Sequence, residues 1–156
     1  RIKPVDVAVA RVAVPDRWQP QAVSALDGPD PEPMETIVVA GYPAVFAAAA
    51  TVQRPLLRRG VVAMKNDSPY VNYAGENAMA DARVRVLDVL TLPGNSGSPV
   101  FAASSFPAKK VIVGLVTAGD QDLGIAFAEP LSRIRETLDH ASAVCATEQA
   151  YWRKNP

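Results

Sequence analysis

Six short apolar patches recur along this chain, each closed off by glycine, proline or a polar turn. They run from Thr36 to Ala40, Leu57 to Met64, Ala82 to Leu90, Ser98 to Ala102, Lys110 to Thr117 and Gly124 to Ala128. Valine, isoleucine and leucine dominate them, and residues of that shape fit a pleated, half-buried surface. A strand needs a neighbour on each side to satisfy its backbone donors and acceptors. Six patches of similar length with turn-rich separators therefore predict an all-β domain, an antiparallel barrel or sandwich. The stretch from Ala44 to Val52 stays open between helix and strand, because its alanines permit the former and the adjoining prolines favour the latter.

The flanks differ from this unit. Val5 to Val14 (VDVAVARVAV) alternates like a strand but stands far from the other six. Between them, residues 19–35 hold Pro20, Pro29, Pro31 and Pro33 among acidic residues, which predicts an exposed linker. Asn66 to Asn77 reads as a polar loop within the six-strand unit. Beyond Glu129, Pro130 suits a first helical turn. Leu131, Ile134, Leu138, Ala141 and Cys145 then recur at spacings of three and four, predicting an amphipathic helix with Arg133 and Arg135 off its apolar stripe. The expected organisation is a lone strand over 1–18, a linker over 19–35, a barrel over 36–129, and a helix with its tail over 130–156.

At 156 residues, 49% of them hydrophobic, the chain is long enough for one domain with a core. Sixteen basic residues balance sixteen acidic ones, so charge gives no reason to expect a nucleic-acid partner or an acidic membrane surface. No run approaches the roughly 18 apolar residues of a membrane span. The chain opens at Arg1 without methionine, which leads to the expectation of a processed or cropped piece of a longer protein. Its single cysteine, Cys145, cannot form an internal disulfide and has no base beside it, so a packed or solvated helix cysteine is expected. A compartment does not follow from this. No metal cluster, phosphate loop or dinucleotide motif is present, and no cofactor is expected.

The stretch LPGNSGSPVF, Leu92 to Phe101, carries the chemistry. A serine hydroxyl is a poor nucleophile at neutral pH and needs a base and a set of donors for the oxyanion. Glycines beside Ser96 let the backbone turn so that the amides of Gly94 and Ser96 share one small space. A strand–turn–helix elbow of the G-x-S-x-G type is excluded, because Ser98 stands where the last glycine belongs and a strand-like segment follows.

The stretch resembles the nucleophile loop of the chymotrypsin-fold serine peptidases, particularly the compact trypsin-like peptidases of bacteria. Other segments agree: Gly41-Tyr42-Pro43 after a strand, Val113 to Gly119 (VGLVTAG), Gly124 to Ala128 before Glu129-Pro130, and Asp6-Val7-Ala8-Val9. The resemblance implies that the six strands form the second barrel of a trypsin-like double barrel, with Val5 to Val14 as the last strand of an otherwise absent first barrel. It implies Ser96 as nucleophile, Asp6 as the residue orienting a histidine, and an oxyanion hole from the Gly94 and Ser96 amides. It also implies a substrate pocket involving Leu90, Thr117, Ala118, Gly119 and Gly124, open and apolar, with the substrate strand beside Thr117 to Gly119. The alternatives are a structural turn at Ser96, a strand-edge aspartate at Asp6, turn glycines at 119 and 124, and a plain β-former at Thr117.

The resemblance requires a histidine upstream of Asp6, and none is there. The only histidine, His140, lies on the predicted helix surface, away from any cleft. The expected function is therefore a serine endopeptidase whose histidine is supplied by an N-terminal part, with polypeptide as substrate. The other classes are a catalytically inactive trypsin-like domain that binds peptides or proteins, and an unrelated barrel with a chance serine turn. Val5 to Val14, left without strand partners, is expected to pair with that N-terminal fragment or with a second copy of itself.

Overall fold

The computed structural model describes residues 7–9, 28–44, 55–65 and 84–154, with side chains through residue 146. Among the described residues there are six strands: β1 (Thr36–Gly41), β2 (Leu56–Lys65), β3 (Arg85–Asp88), β4 (Pro99–Ala102), β5 (Ile112–Asp120) and β6 (Ile125–Pro130). A helix, α1 (Leu131–Lys154), follows directly. All pairings are antiparallel, and the order β1-β2-β3-β6-β5-β4 closes on itself through β1 and β4. The fold is a closed six-stranded antiparallel barrel with a C-terminal helix, and each of the six sequence patches supplies one strand.

Alternation decides which face of each strand is buried. On β1, Ile37 and Val39 point inward, and Val38 and Ala40 point outward. Ile37, Val39, Val62, Leu87, Val89, Val100, Val113, Val116, Ala126 and Ala128 fill the barrel as one cluster. α1 packs on β5 and β6. Its stripe behaves as the spacing predicts: Leu131 and Ile134 are buried, while Leu138, Ala141 and Cys145 are half-buried. His140 is exposed.

Arg133 departs from expectation. It is buried, and its guanidinium donates to Glu136 one turn on, 2.9 Å away. The helix begins against the barrel end beside buried Glu129 and Pro130, so a residue two positions past Leu131 is enclosed as well. The second half of the proline-rich segment also lies on the barrel. Pro31 is buried, Asp30 pairs with the buried Arg85, Glu32 pairs with Lys65, and the Met34 amide donates to Val62 C=O at 2.8 Å. Residues 7–9 belong to no regular element. The remainder of Val5 to Val14, residues 19–27, most of Ala44 to Val52 and Asn66 to Asn77 lie outside the described residues.

Leu87, 2% exposed, sits at the centre of the core. Leu87→Ala should lower the unfolding free energy by about 2–5 kcal/mol through lost burial and an unfilled cavity. Chemical denaturation checks this, with the midpoint expected to fall at an unchanged slope.

Candidate active site

The Ser96 loop joins β3 to β4 and consists of two successive turns. The Asn95 amide donates to Leu92 C=O at 3.0 Å, and the Ser98 amide to Asn95 C=O at 2.9 Å. In the first turn Pro93 precedes Gly94, whose φ is +95°. In the second, Ser96 precedes Gly97, whose φ is +82°. Proline followed by a positive-φ glycine is the pattern of a type II turn, and the second turn repeats its glycine position. The spacing of LPGNSGS is thus set by two back-to-back turns that lift Ser96 to the surface between them.

Two neighbouring segments hold this double turn. On one side Gly97 N–H donates to Val116 C=O at 2.7 Å and Val116 N–H donates to Ser98 C=O at 2.9 Å, hooking the loop to β5. On the other, Ala44 N–H donates to Pro93 C=O at 2.8 Å. Gly41 lies so close that a Cβ there would stand 2.4 Å from Ser98 Oγ and 3.0 Å from Asn95 Oδ1. The Gly-Tyr-Pro segment after β1 is therefore a seat for the serine loop. Asn95 is 3% exposed and fills the space between them.

The result separates the loop amides into two sets. Those of Asn95, Gly97 and Ser98 are bonded internally. Those of Gly94 and Ser96 have no acceptor among the described residues. Preorganised, unspent donors beside a hydroxyl are what stabilisation of an oxyanion requires. The Ser96 hydroxyl is exposed and donates to Thr117 C=O at 3.2 Å. That carbonyl is free for it because β5 bulges: Val116 pairs with Ala128 and Ala118 with Phe127, leaving Thr117 as the extra residue. Thr117 turns its own hydroxyl to Phe127 C=O at 3.3 Å.

Two concavities flank Ser96 and share it with Gly94. The smaller, about 280 Å³, runs between Thr91 to Asn95 on one wall and Val116, Ala118, Gly119 and Gln121 on the other. Ala118 and Gly119 are among the residues lining this concavity, and Leu90, Thr117 and Gly124 are not. Strand parity explains the first case. Leu87, Val89 and Thr91 face inward and Asp88 faces out, so Leu90 also faces out, 39% exposed. Thr91 takes the wall, and its hydroxyl lies 2.0 Å from where a Cβ of residue 119 would stand. Gly124 occupies the β5–β6 turn with open space around it. The larger concavity, about 570 Å³, lies on the outer face of β1, β2 and β4.

Asp6 lies outside the described residues. No group of three or more His, Cys, Asp or Glu side chains able to hold a metal occurs among the described residues, and no described helix is long and apolar enough to cross a membrane.

No family model matches this chain, and no curated relative matches it either. Its fold does have a solved counterpart. The chain is similar to Rv3671c from M. tuberculosis H37Rv, crystallised as a serine-to-alanine mutant in an inactive form, with a TM-score of 0.56 and 15% sequence identity. The match covers 76% of this chain and 53% of that one, so the chain spans about half the length of the structure it matches. At this identity the likeness is one of fold.

The seat predicts two variants with different outcomes. Gly94→Ala places a Cβ 2.7 Å from the Ala44 backbone nitrogen at a φ that L-residues resist, so the loop must move. Gly97→Ala carries the φ strain alone, with no atom within 4 Å of the added methyl. Both should lower Tm, and only Gly94→Ala should also shift the Ala44 and Tyr42 amide resonances strongly in a ¹⁵N–¹H spectrum.

Proposed function

We propose that this chain carries the nucleophile half of a trypsin-like serine endopeptidase. Ser96 is the nucleophile, and the amides of Gly94 and Ser96 receive the oxyanion that forms as the substrate carbonyl is attacked. The observation that carries this reading is the pair of unspent amides beside an exposed hydroxyl, in a loop braced on both sides. The likeness in fold to Rv3671c supports a chymotrypsin-like barrel, and a serine-to-alanine form of that protein is described as inactive. The substrate is an extended polypeptide lying beside Thr117 to Gly119, with one side chain in the pocket between Thr91 and Gly119.

The mechanism needs a base, and among the described residues the partner of the Ser96 hydroxyl is the Thr117 carbonyl. The chain's one histidine, His140, is exposed on α1, and a backbone carbonyl has no capacity to take up the Ser96 proton. In this reading the imidazole comes from a separate N-terminal part, oriented by Asp6, and displaces the Ser96–Thr117 hydrogen bond. That same hydrogen bond favours a second reading, in which the domain is catalytically inactive and uses the cleft to hold peptides or proteins.

Intact-mass spectrometry with a fluorophosphonate probe separates the two. On the peptidase reading, adding a histidine-bearing N-terminal portion should speed the adduct on Ser96 by at least about 100-fold, the scale of general-base assistance. Ser96→Ala should abolish the adduct. No adduct under either condition favours the binding module.

A further inference from the structure

Arg85 is the cation whose position asks most of the fold. It opens β3, and strand parity sets it on the same face as Leu87, at the barrel end remote from the Ser96 loop. Its side chain is 8% exposed. Across the β2–β3 pairing, Lys65 stands directly opposite it. Two cations facing each other repel, and one withdrawn from water needs an anion beside it. Residues 28–35 bring the anions: Asp30 pairs with Arg85, and Glu32 pairs with Lys65. Acids two residues apart in one segment thus meet cations on two neighbouring strands.

The same segment is held in a strained backbone form. Pro31 is buried, and Gly28 lies so near Val111 that a Cβ would stand 2.4 Å from Val111 Cγ1. Met34 has a φ of +72° while its side chain is 77% exposed, so side-chain packing does not account for the strain. A non-glycine residue persists there only where its surroundings over-determine it. The Met34 amide donates to Val62 C=O at 2.8 Å, and the Val62 amide donates to Glu35 C=O at 3.0 Å. The Glu32 amide donates to the Glu35 carboxylate at 2.9 Å. We propose that residues 28–35 form an ionic latch. Two ion pairs hold this strap shut against the strain at Met34, and it opens as a unit, ahead of the barrel, when those pairs are weakened. The latch fixes where the chain arriving from Asp6 meets the barrel, at the end opposite Ser96. Ionic strength therefore acts on the tethering of the segment that carries Asp6.

Amide hydrogen exchange on the whole chain tests this, read at Met34 and Val62 for the strap and at Val39 and Leu87 for the barrel. Asp30→Ala should speed exchange at Met34 and Val62 by at least about tenfold, the scale of a lost hydrogen bond to a charged group. Val39 and Leu87 should keep their rates. Glu32→Lys alters a side chain that is 69% exposed and leaves the core alone. It should speed strap exchange about threefold, and adding Lys65→Glu should restore the original rate, which no loss of packing would do. Met34→Gly should slow exchange at Val62, because glycine adopts this φ without strain. Raising sodium chloride from about 0.01 M to about 1 M shortens the screening length from roughly 30 Å to roughly 3 Å, and should speed exchange at the strap alone. Unchanged rates at Met34 and Val62 in Asp30→Ala overturn the inference. Strap and barrel amides losing protection together in Glu32→Lys also overturn it, because the segment is then part of one cooperative unit. Faster exchange at Val62 in Met34→Gly does the same. None of these readouts involves Ser96, so the peptidase reading and the latch stand or fall separately.

Discussion

The pairing of β1 with β4 is the contact on which the rest of this molecule depends. It closes the barrel, so that every strand has two neighbours and the apolar rows face a common interior. It also fixes where β1 ends. Val39 pairs with Val100, which brings Gly41 beside Asn95 and Ser98. The segment leaving β1 then runs under the serine loop, and the Ala44 amide ties it to Pro93. Closure and site are one arrangement: strain placed on the loop is borne by the barrel.

The site follows from how backbone groups are spent. A double turn of this kind bonds some of its amides internally and leaves others facing out. The β5 bulge adds a carbonyl where the ladder would otherwise use it. Ser96 is consequently flanked by two open donors and held by one acceptor, all from main chain. Side chains shape what flanks it. Thr91 and Gly119 narrow the pocket on the β5 side, and the outer faces of β1, β2 and β4 make the larger concavity on the other.

Much of this was legible in the sequence. The six strands were readable because half-buried strands alternate, and α1 because its stripe repeats at helical spacing. The serine loop was readable because Pro-Gly and Ser-Gly are turn dipeptides with a backbone reason. Other features depend on contacts between distant segments, which no local pattern encodes. The resemblance implied Leu90 as a pocket residue, but strand parity from Leu87 onward turns it outward and Thr91 in. Arg133 looked like a surface residue until the helix start was seen to sit on the barrel end. The resemblance put Thr117 in the substrate pocket or left it a plain β-former, and what faces Ser96 is its carbonyl, because the bulge is a property of the β5–β6 register. The larger concavity combines residues from three strands and a loop, and each alone reads as an ordinary outward-facing position.

The central claim is that the Ser96 loop is a preorganised donor pair and more than a surface turn. Residue-resolved amide hydrogen exchange on the intact chain tests it most directly. The account predicts protected amides at Ala44, Asn95, Gly97 and Ser98, and fast exchange at Gly94 and Ser96 within the same loop. Uniformly fast exchange across 94–98 would mean the seat does not hold the loop. Protection at Gly94 or Ser96 would mean those donors are already spent, and either result would contradict the account.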